Sequence, residues 1–165
     1  MPKRTPKWQP AAKVRESAKA KFYWFDPGVA RAAARRLDDP LDDLSRGAAF
    51  ETLVFHELRA RLRALAQDRT IAYYRTKAGD EIDFVLELER KTLQRPAKVI
   101  LIEAKASRRW RREWERPMRS LAESGAVRVV RSIGVYLGSE RLSMGGVEVL
   151  PWSDFATELA SGALV

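Results

Sequence analysis

The strand-like run Val99-Ile100-Leu101-Ile102-Glu103-Ala104-Lys105-Ala106 constrains this chain more than any other stretch. It is of strand length and carries aliphatic and β-branched residues until two charges appear near its end. Side chains alternate across a strand, so Val99, Leu101, Glu103 and Lys105 share one face and Ile100, Ile102 and Ala104 the other. A strand apolar on both faces is ordinarily buried on both. The carboxylate and ammonium at its end must then be paired, or bound to a metal, because isolated buried charges are too costly. Shortly before it, Glu81-Ile82-Asp83-Phe84-Val85 opens a second strand. There Ile82, Phe84, Leu86 and Leu88 form one face and Asp83 points away from them. Asp83, Glu103 and Lys105 thus converge as a candidate site.

A helix over 47–67 brings a fourth candidate. Val54, Phe55, Leu58, Leu62 and Leu65 fall on one stripe at helical spacing, which marks the buried face. Glu51 falls inside that stripe, where a glutamate needs a cation, a hydrogen-bond network or a shared metal. The plainer reading is a first-turn glutamate favoured by the helix dipole. His56, the single histidine, falls on the opposite face and is assigned no role.

The rest of the chain reads in order. Residues 1–20 are basic and proline-containing, a loose leader ahead of one domain over 21–165. Lys21 to Phe25 suits a short strand, Asp26-Pro27-Gly28 a turn, and Val29 to Leu37 a helix. The acids Asp38, Asp39, Asp42 and Asp43 belong to a polar connector, where aspartates beside proline cap turns more often than they bind metal. Thr70 to Tyr74 and Asp80 to Leu88 form an antiparallel hairpin around Lys77-Ala78-Gly79-Asp80. The stretch from Ser107 to Ser124 is read as a helix restarted at Pro117, with Trp110 and Trp114 one turn apart on one face. A strand over Val127 to Leu137, a turn region to Gly146, a strand over Val147 to Leu150 and a helix to about Leu159 capped by Ser153 complete the chain.

Composition sets limits on function. The 165 residues suit one domain with a real core, and 31 Lys+Arg against 22 Asp+Glu give a net charge of +9. That charge favours an anionic partner such as nucleic acid, although solubility alone also accounts for it. With no cysteine, disulfides, zinc-thiolate sites and a cysteine nucleophile are excluded. No stretch is long and apolar enough to span a bilayer, and the basic start lacks a signal-peptide core, so the chain is read as cytoplasmic. No P-loop motif is present.

The order Glu51 on a helix, Asp83 on a hairpin strand, then Glu103-Ala104-Lys105 resembles the core of the PD-(D/E)XK nuclease superfamily. Gly47-x-x-x-Glu51 looks like that superfamily's first-helix acid. A closer resemblance rests on Lys21-Phe22-Tyr23-Trp24-Phe25-Asp26-Pro27-Gly28, Gly47-Ala48-Ala49-Phe50-Glu51, Tyr74-Arg75, Asp80-Glu81-Ile82-Asp83-Phe84, Ile102-Glu103-Ala104-Lys105 and Leu150-Pro151-Trp152. These look like the uncharacterised domain at the C-terminus of a group of prokaryotic AAA+ ATPases. Members of that group usually carry an ATPase domain ahead of this one. Its absence here leaves a fragment, a truncated product or a split version as the alternatives.

The resemblance implies a restriction-endonuclease-like α/β (α+β) fold, α-β-β-β-α-β around a central mixed sheet flanked by helices. It also implies Mg²⁺ or Mn²⁺ held by Asp83, Glu103 and the Ala104 carbonyl, with Glu51 as a further ligand and Lys105 acting at the phosphate. Arg75, Arg108, Arg109 and Arg112 are expected to hold a nucleic-acid backbone, DNA in the first instance, without reading its sequence. The competing reading is an inactive nuclease-like module that docks an ATPase or another protein, its acids kept as a salt-bridged cluster. Oligomeric state is not legible.

Overall fold

The computed structural model describes residues 3–9 and 20–164. Two short strands, β1 (Lys3–Thr5) and β2 (Lys21–Tyr23), pair antiparallel as a ribbon. Helices α1 (Pro27–Ala33) and α2 (Asp43–Ala64) follow, then strands β3 (Ile71–Arg75), β4 (Glu81–Glu89) and β5 (Lys98–Lys105). A 3₁₀ turn over Arg112–Glu115 leads into α3 (Arg116–Glu123). Strands β6 (Arg128–Tyr136), β7 (Leu142–Met144) and β8 (Val147–Pro151) and helix α4 (Trp152–Ser161) close the chain.

The domain is mixed α+β around a six-stranded mixed sheet in the order β3-β4-β5-β6-β8-β7. Strands β3, β4 and β5 run antiparallel to one another in turn, β5-β6 and β6-β8 are parallel, and β7 returns antiparallel to β8. A parallel step from β5 to β6 needs a crossover, which the 3₁₀ turn and α3 provide. Both faces of the sheet are covered, as the two-sided apolar β5 requires. Phe84, Leu86, Ile100, Ile102 and Val135 pack beneath Val54, Phe55 and Leu58 of α2 and Phe155 of α4. Val85, Val99, Leu101 and Val149 pack on the other face with Met118 and Leu121 of α3. Each such side chain, withdrawn from water, contributes roughly 1.5–3 kcal/mol.

Several expectations are corrected. The long helix begins at Asp43 rather than Gly47, because Asp42 caps it by accepting from the Ser45 N–H at 2.6 Å. Leu65 becomes its C-cap. The span after β5 is not helical until Arg112, so Trp110 and Trp114 do not share a helix face, although their rings meet edge-on with centroids 5.2 Å apart. Three residues of the expected turn region form β7. Helix α4 has Pro151 at its N-cap with no side-chain cap bond, so Ser153 does not play that part, and the helix runs on to Ser161.

The loose leader does not describe residues 3–9. Besides β1, Trp8 is buried in the second core, its indole N–H donating to Glu87 at 3.1 Å, and its backbone N–H donates to the Tyr73 carbonyl at 2.6 Å. Residues 10–19 of the leader lie outside the described residues.

Beside the site, β4 departs from simple alternation. Ala72 pairs with Val85 and Tyr74 with Ile82, so two steps along β3 span three along β4. This irregularity lets Ile82 join the second core while Phe84 joins the first, correcting the single face expected for them.

Candidate functional site

The β4–β5 ladder carries Phe84 opposite Ile102, and the register goes no further toward Asp83. From there side chains take over the hydrogen bonding. The Ala104 N–H donates to Asp83 Oδ2 at 3.0 Å, and the Asp83 N–H donates to Glu103 Oε2 at 3.2 Å. Each carboxylate thereby satisfies a backbone donor of the opposite strand, which is how two buried acids (6% and 5% exposed) are tolerated at a strand end. Lys105 closes the group by pairing with Glu103, its Nζ also lying 3.8 Å from Asp83 Oδ2.

Glu51 reaches the same place from the third turn of α2. That position excludes the first-turn dipole reading, and its partners explain why a glutamate stands in an apolar stripe. It accepts from the Tyr23 hydroxyl at 2.5 Å and from Lys21 Nζ at 2.8 Å. Lys21 Nζ lies 3.1 Å from Asp83 Oδ1 and 2.5 Å from Glu81 Oε1, and 5.7 Å from the Tyr73 ring centroid. Glu51, Asp83, Glu103 and Lys105, predicted from separate stretches, are thus joined in one network.

The charges explain the protonation behaviour. Four carboxylates (Glu51, Glu81, Asp83, Glu103) face three cations (Lys21, Lys105 and Arg75, which pairs with Glu81), one negative charge in excess. Burial, then the Asp83 charge, pushes Glu103 up to about 8 against the opposing pull of Lys105. Burial and Asp83 raise Glu51 as well, with Lys21 opposing. Burial acts to lower Lys21 and Lys105, but the carboxylates outweigh it and hold both ammonium groups above their ordinary range. Burial and the Glu51 charge raise the Tyr23 hydroxyl.

The donor chemistry is of the kind a hard divalent cation takes: three carboxylates and a neighbouring main-chain carbonyl at Ala104 all offer oxygen atoms. A cation, the Lys21 ammonium, already bridges Glu51 and Asp83. Among the described residues, no group of three or more His, Cys, Asp or Glu is arranged to hold a metal ion as it stands.

Residues 46–155 match the family described as Domain of unknown function (DUF4143). The chain belongs to that family. DUF4143 domains often lie C-terminal to AAA+ ATPases. Neither the curated proteins nor the solved structures give a match. The DUF4143 span contains Glu51, Asp83, Glu103 and Lys105, whereas Lys21 and Tyr23 precede it.

A cleft of about 720 Å³ opens beside Lys105, lined among others by Arg46, Ser107, Arg108, Arg111 and Trp114. Of the arginines expected to hold a backbone, only Arg108 lines it. Arg75, which pairs with Glu81 at 3.2 Å, and the exposed Arg109 and Arg112 lie outside it. Arg46 and Arg111 were not anticipated; Arg46 pairs with Asp43 at 3.0 Å, and Arg111 lies over the Trp114 ring, 5.6 Å from its centroid, and 3.5 Å from Glu113. The larger omission was Lys21 and Tyr23. Alternation along Lys21-Phe22-Tyr23 puts them on one face, a signal open to a reader seeking a partner for Glu51. His56 is half-buried and bonds the Trp24 carbonyl at 2.6 Å, away from the carboxylates. An apolar groove of about 440 Å³ between α1 and α2, lined by Trp24, Pro27, Ala30, Leu41 and Ala48, contains none of the predicted residues.

Proposed function

We propose that this chain is a divalent-metal-dependent nuclease with a PD-(D/E)XK-like site. The observation that carries the reading is the exchange of backbone bonds between Asp83 and the Glu103-Ala104 pair, with Lys105 on the same strand end. The element order α2-β3-β4-β5-α3-β6 supports it, since this is the α-β-β-β-α-β arrangement of a restriction-endonuclease-like core. Glu51, Asp83, Glu103 and the Ala104 carbonyl would hold Mg²⁺ or Mn²⁺. When bound, such a cation supplies Lewis-acid polarisation of a phosphate and a water of lowered pKa.

The chain's own residues supply the rest. Lys105, half-buried beside both acids, orients the attacking water or offsets charge building on the phosphate oxygens. Arg46, Arg108 and Arg111 place a phosphate backbone in the cleft next to Lys105, without base readout. Asp83→Ala and Lys105→Ala are expected to abolish Mg²⁺-dependent cleavage of single- and double-stranded DNA and RNA while circular dichroism stays unchanged. Equal cleavage by variant and parent would refute the assignment.

One observation favours a second reading. Lys21 and Lys105 already pair the acids, as expected of an inactive nuclease-like module that docks an AAA+ ATPase or another protein. Absence of Mn²⁺ binding at millimolar concentration would favour it.

A further inference from the structure

We infer that Lys21 is a built-in cation that competes with divalent metal for the Glu51–Asp83 site, and so sets the affinity of that site for metal. The inference rests on the nuclease-like reading of the carboxylates. Its ground is position: Nζ lies 2.8 Å from Glu51 Oε1 and 3.1 Å from Asp83 Oδ1, bridging two of the three acids that would ligate a metal. Glu81 Oε1 at 2.5 Å and the face of Tyr73 complete its surroundings.

Charge makes the occupancy exclusive. With all four carboxylates ionised, as metal binding requires of them, the cluster carries one negative charge in excess with Lys21 in place and two with Lys21 withdrawn, the charge of one divalent cation. Ammonium and metal together would leave the half-buried cluster positive, and like charges at such distances repel strongly in a partly desolvated site.

The exchange needs no change in the fold. Tyr23, two residues on, is 4% exposed and stacks on Phe55 with centroids 4.4 Å apart, so β2 is fixed to the core. Lys21 itself retains 22% side-chain exposure, and its flexible four-carbon stem can carry the ammonium into solvent while the backbone stays put. Removing the Tyr23 anchor is a different perturbation from removing the Lys21 charge.

The test is calorimetric titration of Mn²⁺ into the full chain, its Lys21→Met and Lys21→Arg variants, and Lys21→Met combined with Asp83→Asn. Lys21→Gln replaces Lys21→Met if the apolar side chain impairs folding. Lys21→Met is expected to bind Mn²⁺ at least about tenfold more tightly than the parent, the effect of a modest coupling between competing cations. Lys21→Arg should stay weak, and the combined variant should lose the binding. Equal or weaker binding by Lys21→Met, in a parent that does bind, would overturn the competition and leave the metal site standing. No binding by parent or variant would overturn both.

Discussion

At the scale of single residues, the candidate site is a problem of surplus negative charge, answered by protons and lysines. Glu103 has an ordinary value of 4.5 and is held up to about 8 in the fold. An acid raised in this way binds its proton more tightly folded than unfolded. Its contribution to stability is therefore whole below about pH 4.5 and is lost as pH rises through about 8. Glu103→Gln keeps the shape of the protonated acid and removes the titration. In metal-free buffer the melting temperature of the parent should fall relative to Glu103→Gln between about pH 5 and pH 8. A difference that does not change with pH would contradict the account.

At the scale of elements, the segment between β5 and α3 shows how packing overrides local preference. Trp110 lies against Gly134 of β6 so closely that a Cβ placed there would overlap the indole ring. Trp110 also donates to Glu115, which is fully buried and paired with Arg119. Gly134→Ala should cost about 1–3 kcal/mol, as overpacking does in a filled core. Urea denaturation measures this, and adding Trp110→Leu should recover part of the loss. A neutral Gly134→Ala would mean that the indole does not pack as described.

This segment also marks a limit of legibility. Its arginines, tryptophans and glutamates suit a helix by composition, and only the packing on Gly134 and the burial of Glu115 reveal why it begins as an irregular, bent segment. β5 was legible because aliphatic residues on both faces have few alternatives to a covered central strand. The α2 stripe was legible from helical spacing, although its start depended on Asp42 capping rather than on the stripe. β7 was missed because three residues before Gly145-Gly146 carry no periodicity. The Asp83 irregularity arises from strand pairing, which no single strand records. Of the site, the four polar positions were visible as charges in apolar settings, while Lys21 was not, since it stands at the start of a short aromatic strand directly after a basic stretch, where a lysine is ordinary.

At the scale of the whole molecule, a net charge of +9 surrounds a small acidic centre. Among the described residues, no helix is long and apolar enough to cross a membrane. Arg46, Arg108 and Arg111 bring part of the positive charge to the cleft beside Lys105. A double variant, Arg108→Ala with Arg111→Ala, should weaken oligonucleotide binding to a similar degree for unrelated sequences. It should also reduce the slope of log affinity against log salt by about 2, one for each phosphate that is no longer neutralised. Fluorescence anisotropy at several salt concentrations reads both, and an unchanged slope would place the nucleic acid elsewhere. The central claim is that Glu51, Asp83 and Glu103 can gather around a divalent cation once Lys21 yields its place. A crystal of the Lys21→Met chain grown with Mn²⁺ and measured at the manganese absorption edge tests it most directly. The account predicts one anomalous peak in contact with Asp83 and Glu103, and no peak there at saturating Mn²⁺ would contradict it.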